Sequence, residues 1–326
     1  MRLLSAIALL TLITTVSFPA NSQNLAPAGV WEMSVTLPSA HSEVGVATVN
    51  GKVYIVGGTV DTGTMSLSSN EEYDPASKRA RERAPLPQPL SHVGVVGLNG
   101  KIYAVGGFSD LQSDHTGAVN SLLVYDPSTD EWRTLAPMKE PRGSVGATVV
   151  NGKIYVFGGR GLDLKTVATS EVYDPKSDRW SELAPLPKAR DHLAAVAAGD
   201  KIHVIGGRFG SSRDLTGMHD VYDPATDTWT SGPPLPTARS SVAAALYRGL
   251  IVVAGGECDN GAIFNNNEGF DVTTQRWITL TPMPTGLHGF GGAVVGSNLY
   301  FIGGATQCGG GAAKVSADIY TFSLPN

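Results

Sequence analysis

Asn151-Gly152-Lys153-Ile154-Tyr155-Val156-Phe157-Gly158-Gly159, followed by Tyr173-Asp174-Pro175 and by Trp180, is the stretch that decides the fold. Asn-Gly is a two-residue turn whose positive φ angles match the twist of a tight β-hairpin. The apolar run after it reads as the returning strand. Pro175 removes a ladder donor and so closes another strand. The unit predicts four short strands: a hairpin a–b, a loop after the double glycine, strand c ending at Tyr-Asp-Pro, and a Trp-bearing strand d. Moving outward from it, the double glycine recurs at Gly57, Gly106, Gly158, Gly206, Gly255 and Gly303, at intervals of 49, 52, 48, 49 and 48 residues. An aromatic follows each pair at Tyr73, Tyr125, Tyr173, Tyr222, Phe270 and Tyr320. Seven residues further stand Trp132, Trp180, Trp229 and Trp277, with Ala80 in that place in the first period. Six periods of this length define a repeat architecture.

Composition agrees. The 326 residues include 39 Gly and 20 Pro, yet 42% are hydrophobic, so there are many turns around a real core and the chain is neither disordered nor collagen-like. The net charge of −5 offers no basic face for a phosphate backbone, and no nucleic-acid partner is expected.

The double glycine with its spaced Tyr and Trp resembles the Kelch repeat, and the resemblance covers the whole chain after its first 22 residues. It implies an all-β fold, a six-bladed β-propeller of four-stranded Kelch blades. Neighbouring blades must stack to bury both faces of each sheet, with the Tyr and Trp rings filling the gaps. The ends are complementary. Trp31 to Leu37 reads as a lone d-type strand, and the chain finishes on a c-type strand around Ile319-Tyr320 with no tryptophan after it. The ring is therefore expected to be closed by this N-terminal outer strand pairing with the C-terminal blade, which removes exposed edges and suits a monomer.

Residues 1–22 run from Met1-Arg2 through an apolar, Thr-rich segment to Ala20-Asn21-Ser22, the order of charge, apolar core and small residues of a cleaved signal peptide. Residues 23–326 are then one propeller domain, secreted or periplasmic and without a membrane span. That compartment permits a disulfide between Cys258 and Cys308, the only two cysteines, which fall after the fifth and sixth double glycines in adjacent blades.

Antiparallel alternation places the short, uniform a–b and c–d turns on one face and the variable b–c loops and d–a connections on the other, where binding residues are sought. Arg142, Arg190 and Arg239 each lie sixteen residues before a double glycine, where the other periods carry His41, Leu90 and Leu287. Arg160 and Arg208 directly follow theirs, where the others carry Thr59, Phe108, Glu257 and Ala305. With His192, and extended by Arg213, these five arginines make a candidate anion-binding patch, since guanidinium forks match carboxylate and phosphate. Asp163, Asp191 and Asp214 in the same loops offer internal ion pairs as the alternative. His41, His92, His192 and His288 share the face, and three converging imidazoles would bind a transition metal. No ligand pair stands at short fixed spacing, so no metal site is assigned. Nor is there a nucleophile elbow, Walker loop, dinucleotide fingerprint or HExxH segment, and no cofactor is expected.

Two functions fit. The first is a non-enzymatic propeller that binds a protein, peptide or acidic glycan on its long-loop face. The second is a carbohydrate-active isomerase resembling the periplasmic Kelch mutarotases of sialic acid, with Glu257 and Arg208 as acid–base group and carboxylate clamp.

Overall fold

The structure is a computed structural model that describes residues 28–60, 65–109, 117–257, 263–307 and 314–325. The described residues are all-β, and no helix among them is long and apolar enough to cross a membrane. Six antiparallel sheets of four strands form a propeller. Blade three shows the plan: strand a is Gly146–Val150, b is Lys153–Phe157, c is Ser170–Asp174 and d is Arg179–Glu182. The a strands of the other blades are Gly45–Val49, Gly94–Leu98, Ala194–Ala198, Ala243–Tyr247 and Gly291–Val295. They line the axis with small residues such as Val46, Gly97, Ala147 and Ala197, leaving a channel of about 300 Å³. The Asn-Gly a–b turns have the expected geometry, with Asn151 at φ 50° and Gly152 at φ 72°.

Three contacts knit each blade to its neighbour and explain the repeated residues. The second glycine of every pair donates its N–H to a carbonyl of the next d–a connection, from Gly58 to Leu90 O through Gly304 to His41 O, at 2.8–3.1 Å. Side chains would block this approach: a Cβ on Gly57 would come within 2.2 Å of Leu90 O. Each tryptophan of strand d donates its indole N–H to a carbonyl at the end of the previous blade's strand d, as Trp180 does to Ala136 O, at 2.7–3.0 Å across five joints. In three blades the strand-c tyrosine bonds an aspartate five residues on, and that aspartate also accepts from the previous blade, as Asp178 does from Tyr173 Oη and Ala136 N.

The ring closes as the complementary ends require. The N-terminal strand Val30–Thr36 pairs antiparallel with Asp318–Ser323, Trp31 opposite Phe322 and Met33 opposite Tyr320. Trp31 packs its ring on Phe301 and Phe322, with centroids 5.2 and 4.9 Å away, and bonds Thr281 O, completing blade six. At the joint between blades six and one the indole latch is missing, because Ala80 stands where the tryptophan would be. Ser34 Oγ, 3.0 Å from Tyr73 Oη, supplies a smaller link.

Candidate axial binding site

The site is built from one residue per blade. Glu43, His92, Ser144, His192 and Ser241 have φ between 50° and 55°, and Gly289 has φ 62°. In five of the six the backbone N–H donates to the carbonyl of its counterpart in the previous blade: His92 to Glu43, Ser144 to His92, His192 to Ser144, Ser241 to His192 and Gly289 to Ser241. The sixth link runs from Val44 N to Gly289 O at 3.4 Å. A belt of main-chain hydrogen bonds thus encircles the axis at the mouth of the long-loop face. Left-handed backbone at five non-glycine residues is uncommon, and such clusters mark places where the surrounding structure imposes the conformation.

The belt's side chains meet in a cavity of about 110 Å³ with an apolar collar of residues such as Val93 and Leu193 below. His92 Nε2 lies 3.3 Å from Glu43 Oε2, and the His92 and His192 rings meet edge to face at 5.1 Å. One ligand atom from each of Glu43, His92 and His192 falls within 4.8 Å of the others. Beside the belt, Asp191 takes His192 Nδ1 at 2.5 Å and Arg208 Nε at 3.0 Å. Arg208 reaches His192 Nε2 at 3.2 Å through Nη2 and pairs with Glu257 through Nη1. His288 Nδ1 stands 3.3 Å from Glu43 Oε1. Gly289 admits this arrangement, since a Cβ there would lie 2.5 Å from Glu43 Oε1. Burial alone would raise the Glu43 carboxyl, but the charge of His92 and the contact with His288 hold it well below the usual carboxylate range. Burial likewise opposes ionisation of Asp191, and His192 and Arg208 overcome it to bring the group to about 2. Burial lowers His288, and Glu43 reverses this, leaving it raised.

The residues expected to form the anion patch divide. Arg208 and His192 lie in the axial cluster, and Glu257 joins them. Arg142, Arg190 and Arg239 do not: they are at most 1% exposed, and each holds an acid on strand c of its own blade, Glu171, Asp220 and Glu268. Arg190 and Arg239 also donate to carbonyls of their own strand b or its double glycine. The patch expected from these three is corrected to three internal ion pairs, because a guanidinium at that depth needs a carboxylate to be buried at all. Arg160 turns its Nε to Leu164 O within its own loop. Cys258, Cys308 and residues 1–22 lie outside the described residues. Glu43, which no sequence motif marks, meets His92 and His192 in the axial cavity. Wide sequence spacing is no obstacle when equivalent positions of different blades meet on an axis.

The comparisons with known proteins follow the same lines. Residues 147–326 match the model described as KLHDC2/KLHL20/DRC7 Kelch-repeats domain, and residues 40–79 and 89–139 match the Kelch motif. With more than half of its length matched, the chain belongs to the Kelch-repeat family. It is 28% identical to Kelch-like protein terF of Aspergillus terreus over 91% of this chain and 56% of that protein. It is 27% identical to mouse Kelch-like protein 35 over 40% of this chain and 21% of that protein. The chain thus spans between a fifth and rather over half of the length of these curated relatives. Among solved structures, that titled Structure of YjhT superposes with a TM-score of 0.74 over 90% of this chain and 99% of its own, at 18% identity. It shares the fold.

Proposed function

We propose that the chain is an exported, monomeric binding propeller that takes one polar group of a protein, peptide or glycan into the axial cavity while the rest of the partner lies across the long-loop face. The observation that carries this reading is the belt, which turns Glu43, His92 and His192 from three blades into one cavity. A cavity of about 110 Å³ is well below the roughly 300–1,000 Å³ of small-molecule pockets, so it suits a functional group and not a whole sugar. Because Arg208 is already paired with Asp191 and Glu257, hydrogen-bond-donating or cationic groups fit better than the acidic ones expected from the sequence. Export rests on the leader-like segment of residues 1–22, and the Cys258–Cys308 bond is proposed with it. The test is capture on peptide and glycan arrays by the wild-type chain, by a His92→Gly/His192→Gly variant and by Arg160→Ala. Members bound by the wild type and by Arg160→Ala but lost by the belt variant support the site. Equal binding by all three chains refutes it.

The isomerase reading has one specific support, the Asp191–His192 pair in the cavity lining, in which a carboxylate holds Nδ1 of an imidazole whose Nε2 meets Ser144 Oγ and Arg208 Nη2. Faster exchange of sialic acid anomers by NMR, lost in His192→Gln, would favour it. Exchange at the uncatalysed rate would remove it.

A further inference from the structure

We propose that Glu43, His92 and His192 bind one divalent first-row transition-metal ion on the propeller axis. Two imidazoles and one carboxylate form a donor set that suits zinc or ferrous iron, with the remaining positions open to water. His92 Nε2 and Glu43 Oε2, 3.3 Å apart, already have the separation of two ligands on one tetrahedral ion, about 3.4 Å for bonds of about 2.1 Å. A ring nitrogen of His192 lies within 4.8 Å of the other two donors, and with Nδ1 held by Asp191 the third ligand is Nε2, after a small inward movement.

A merely crowded set of polar groups would lack three further features. The first is an outer shell: Asp191 holds His192 Nδ1 and Ser91 Oγ lies 3.1 Å from His92 Nδ1, which fixes both rings with Nε2 toward the cavity. Carboxylate or hydroxyl support of the distal nitrogen is how metal-ligating histidines are usually oriented. The second is an open polar atom, Ser241 Oγ, which lines the same cavity, lies on a residue 8% exposed, and has no hydrogen-bond partner among the described residues. The third is charge. Three carboxylates, Glu43, Asp191 and Glu257, face the Arg208 guanidinium and the His288 imidazole beside Glu43, so the cluster keeps net negative charge for a cation to offset. In the ion's presence Arg208 and Ser144 Oγ, 3.2 and 3.3 Å from His192 Nε2, give up that nitrogen, and Arg208 keeps Asp191 and Glu257. This proposal goes beyond partner binding and stands or falls without it.

The test uses the untagged full chain, stripped with a chelator and titrated with Zn²⁺, Co²⁺ and anaerobic Fe²⁺. Calorimetry should show one ion per chain for at least one metal, Co²⁺ should develop visible ligand-field bands, and bound metal should raise the melting temperature. His92→Gly and His192→Gly, which suit the left-handed backbone, should abolish binding while circular dichroism stays that of the wild type. Asp191→Asn should weaken binding about 10–100-fold, as loss of outer-shell support does. If no metal binds stoichiometrically at micromolar concentration, or if binding survives both glycine variants, the proposal is overturned and the cluster is an ion-pair network alone.

Discussion

Position 142 and its equivalents show how one side chain is chosen with its partner. Where the d–a connection carries arginine, strand c carries an acid 29 or 30 residues on: Arg142 with Glu171, Arg190 with Asp220, Arg239 with Glu268. Where it carries leucine, strand c has no acid at that register: Leu90 goes with Leu123 and Leu287 with Tyr320, all buried. Apolar pairs replacing ion pairs at one site are what the desolvation cost of buried charge allows. That covariation was legible in the sequence, and pairing positions across blades would have exposed these arginines as internal. Blade one is intermediate, with His41 Nε2 3.9 Å from Glu71 Oε2, both buried. Burial lowers His41 to about 4 and raises Glu71 to about 7, the latter against hydrogen bonding from Ser39. The signs differ. The raised Glu71 contributes stability fully below about pH 4.5, and this is lost as pH climbs through 7. The lowered His41 contributes above about pH 6.5 and loses it as pH falls through 4. Stability from this pair therefore peaks between about pH 5 and 6.5. Glu71→Gln should melt a few degrees above the wild type at pH 8, reflecting about 1–3 kcal/mol, and level with it at pH 5. Parallel melting curves across that range would disprove the assignment.

At the scale of strands and turns, hydrophobic alternation and turn chemistry sufficed. All six hairpins, the strand c aromatics of blades one to five and the closing role of Trp31 to Leu37 follow from local residues, because each depends on geometry within one period. In blade six the aromatic opposite Trp31 is Phe322 and not the expected Tyr320. The belt did not follow, since its residue types differ from blade to blade and only the backbone conformation is shared. Glu43 carries no local signal of its special place. The closing strand is the element most open to test. Removing residues 1–39 would strip Asp318–Ser323 of its partner and uncover Phe301 and Phe322, which Trp31 now shields. An unpaired edge beside exposed aromatics invites intermolecular pairing. A chain beginning at Ala40 should run as oligomers in gel filtration and melt well below the parent. A monomer with the parent's melting temperature would mean that the ring closes by other contacts.

For the molecule as a whole, the belt separates scaffold from chemistry: main-chain atoms carry the ring and side chains face the cavity. Blade six already supplies a member with no side chain, Gly289. Alanine is therefore a misleading probe at these positions, since it keeps the steric conflict of a left-handed backbone while deleting the functional group. Glycine removes both. A chain carrying Glu43→Gly, His92→Gly and His192→Gly should stay within about 2 kcal/mol of the parent in denaturant melts, relief of backbone strain offsetting added freedom in the unfolded chain. Collapse of that variant would show that the side chains hold the ring. If it folds, the propeller is a blank socket whose specificity can be rewritten at a handful of codons, each in a different blade and none in the sheets.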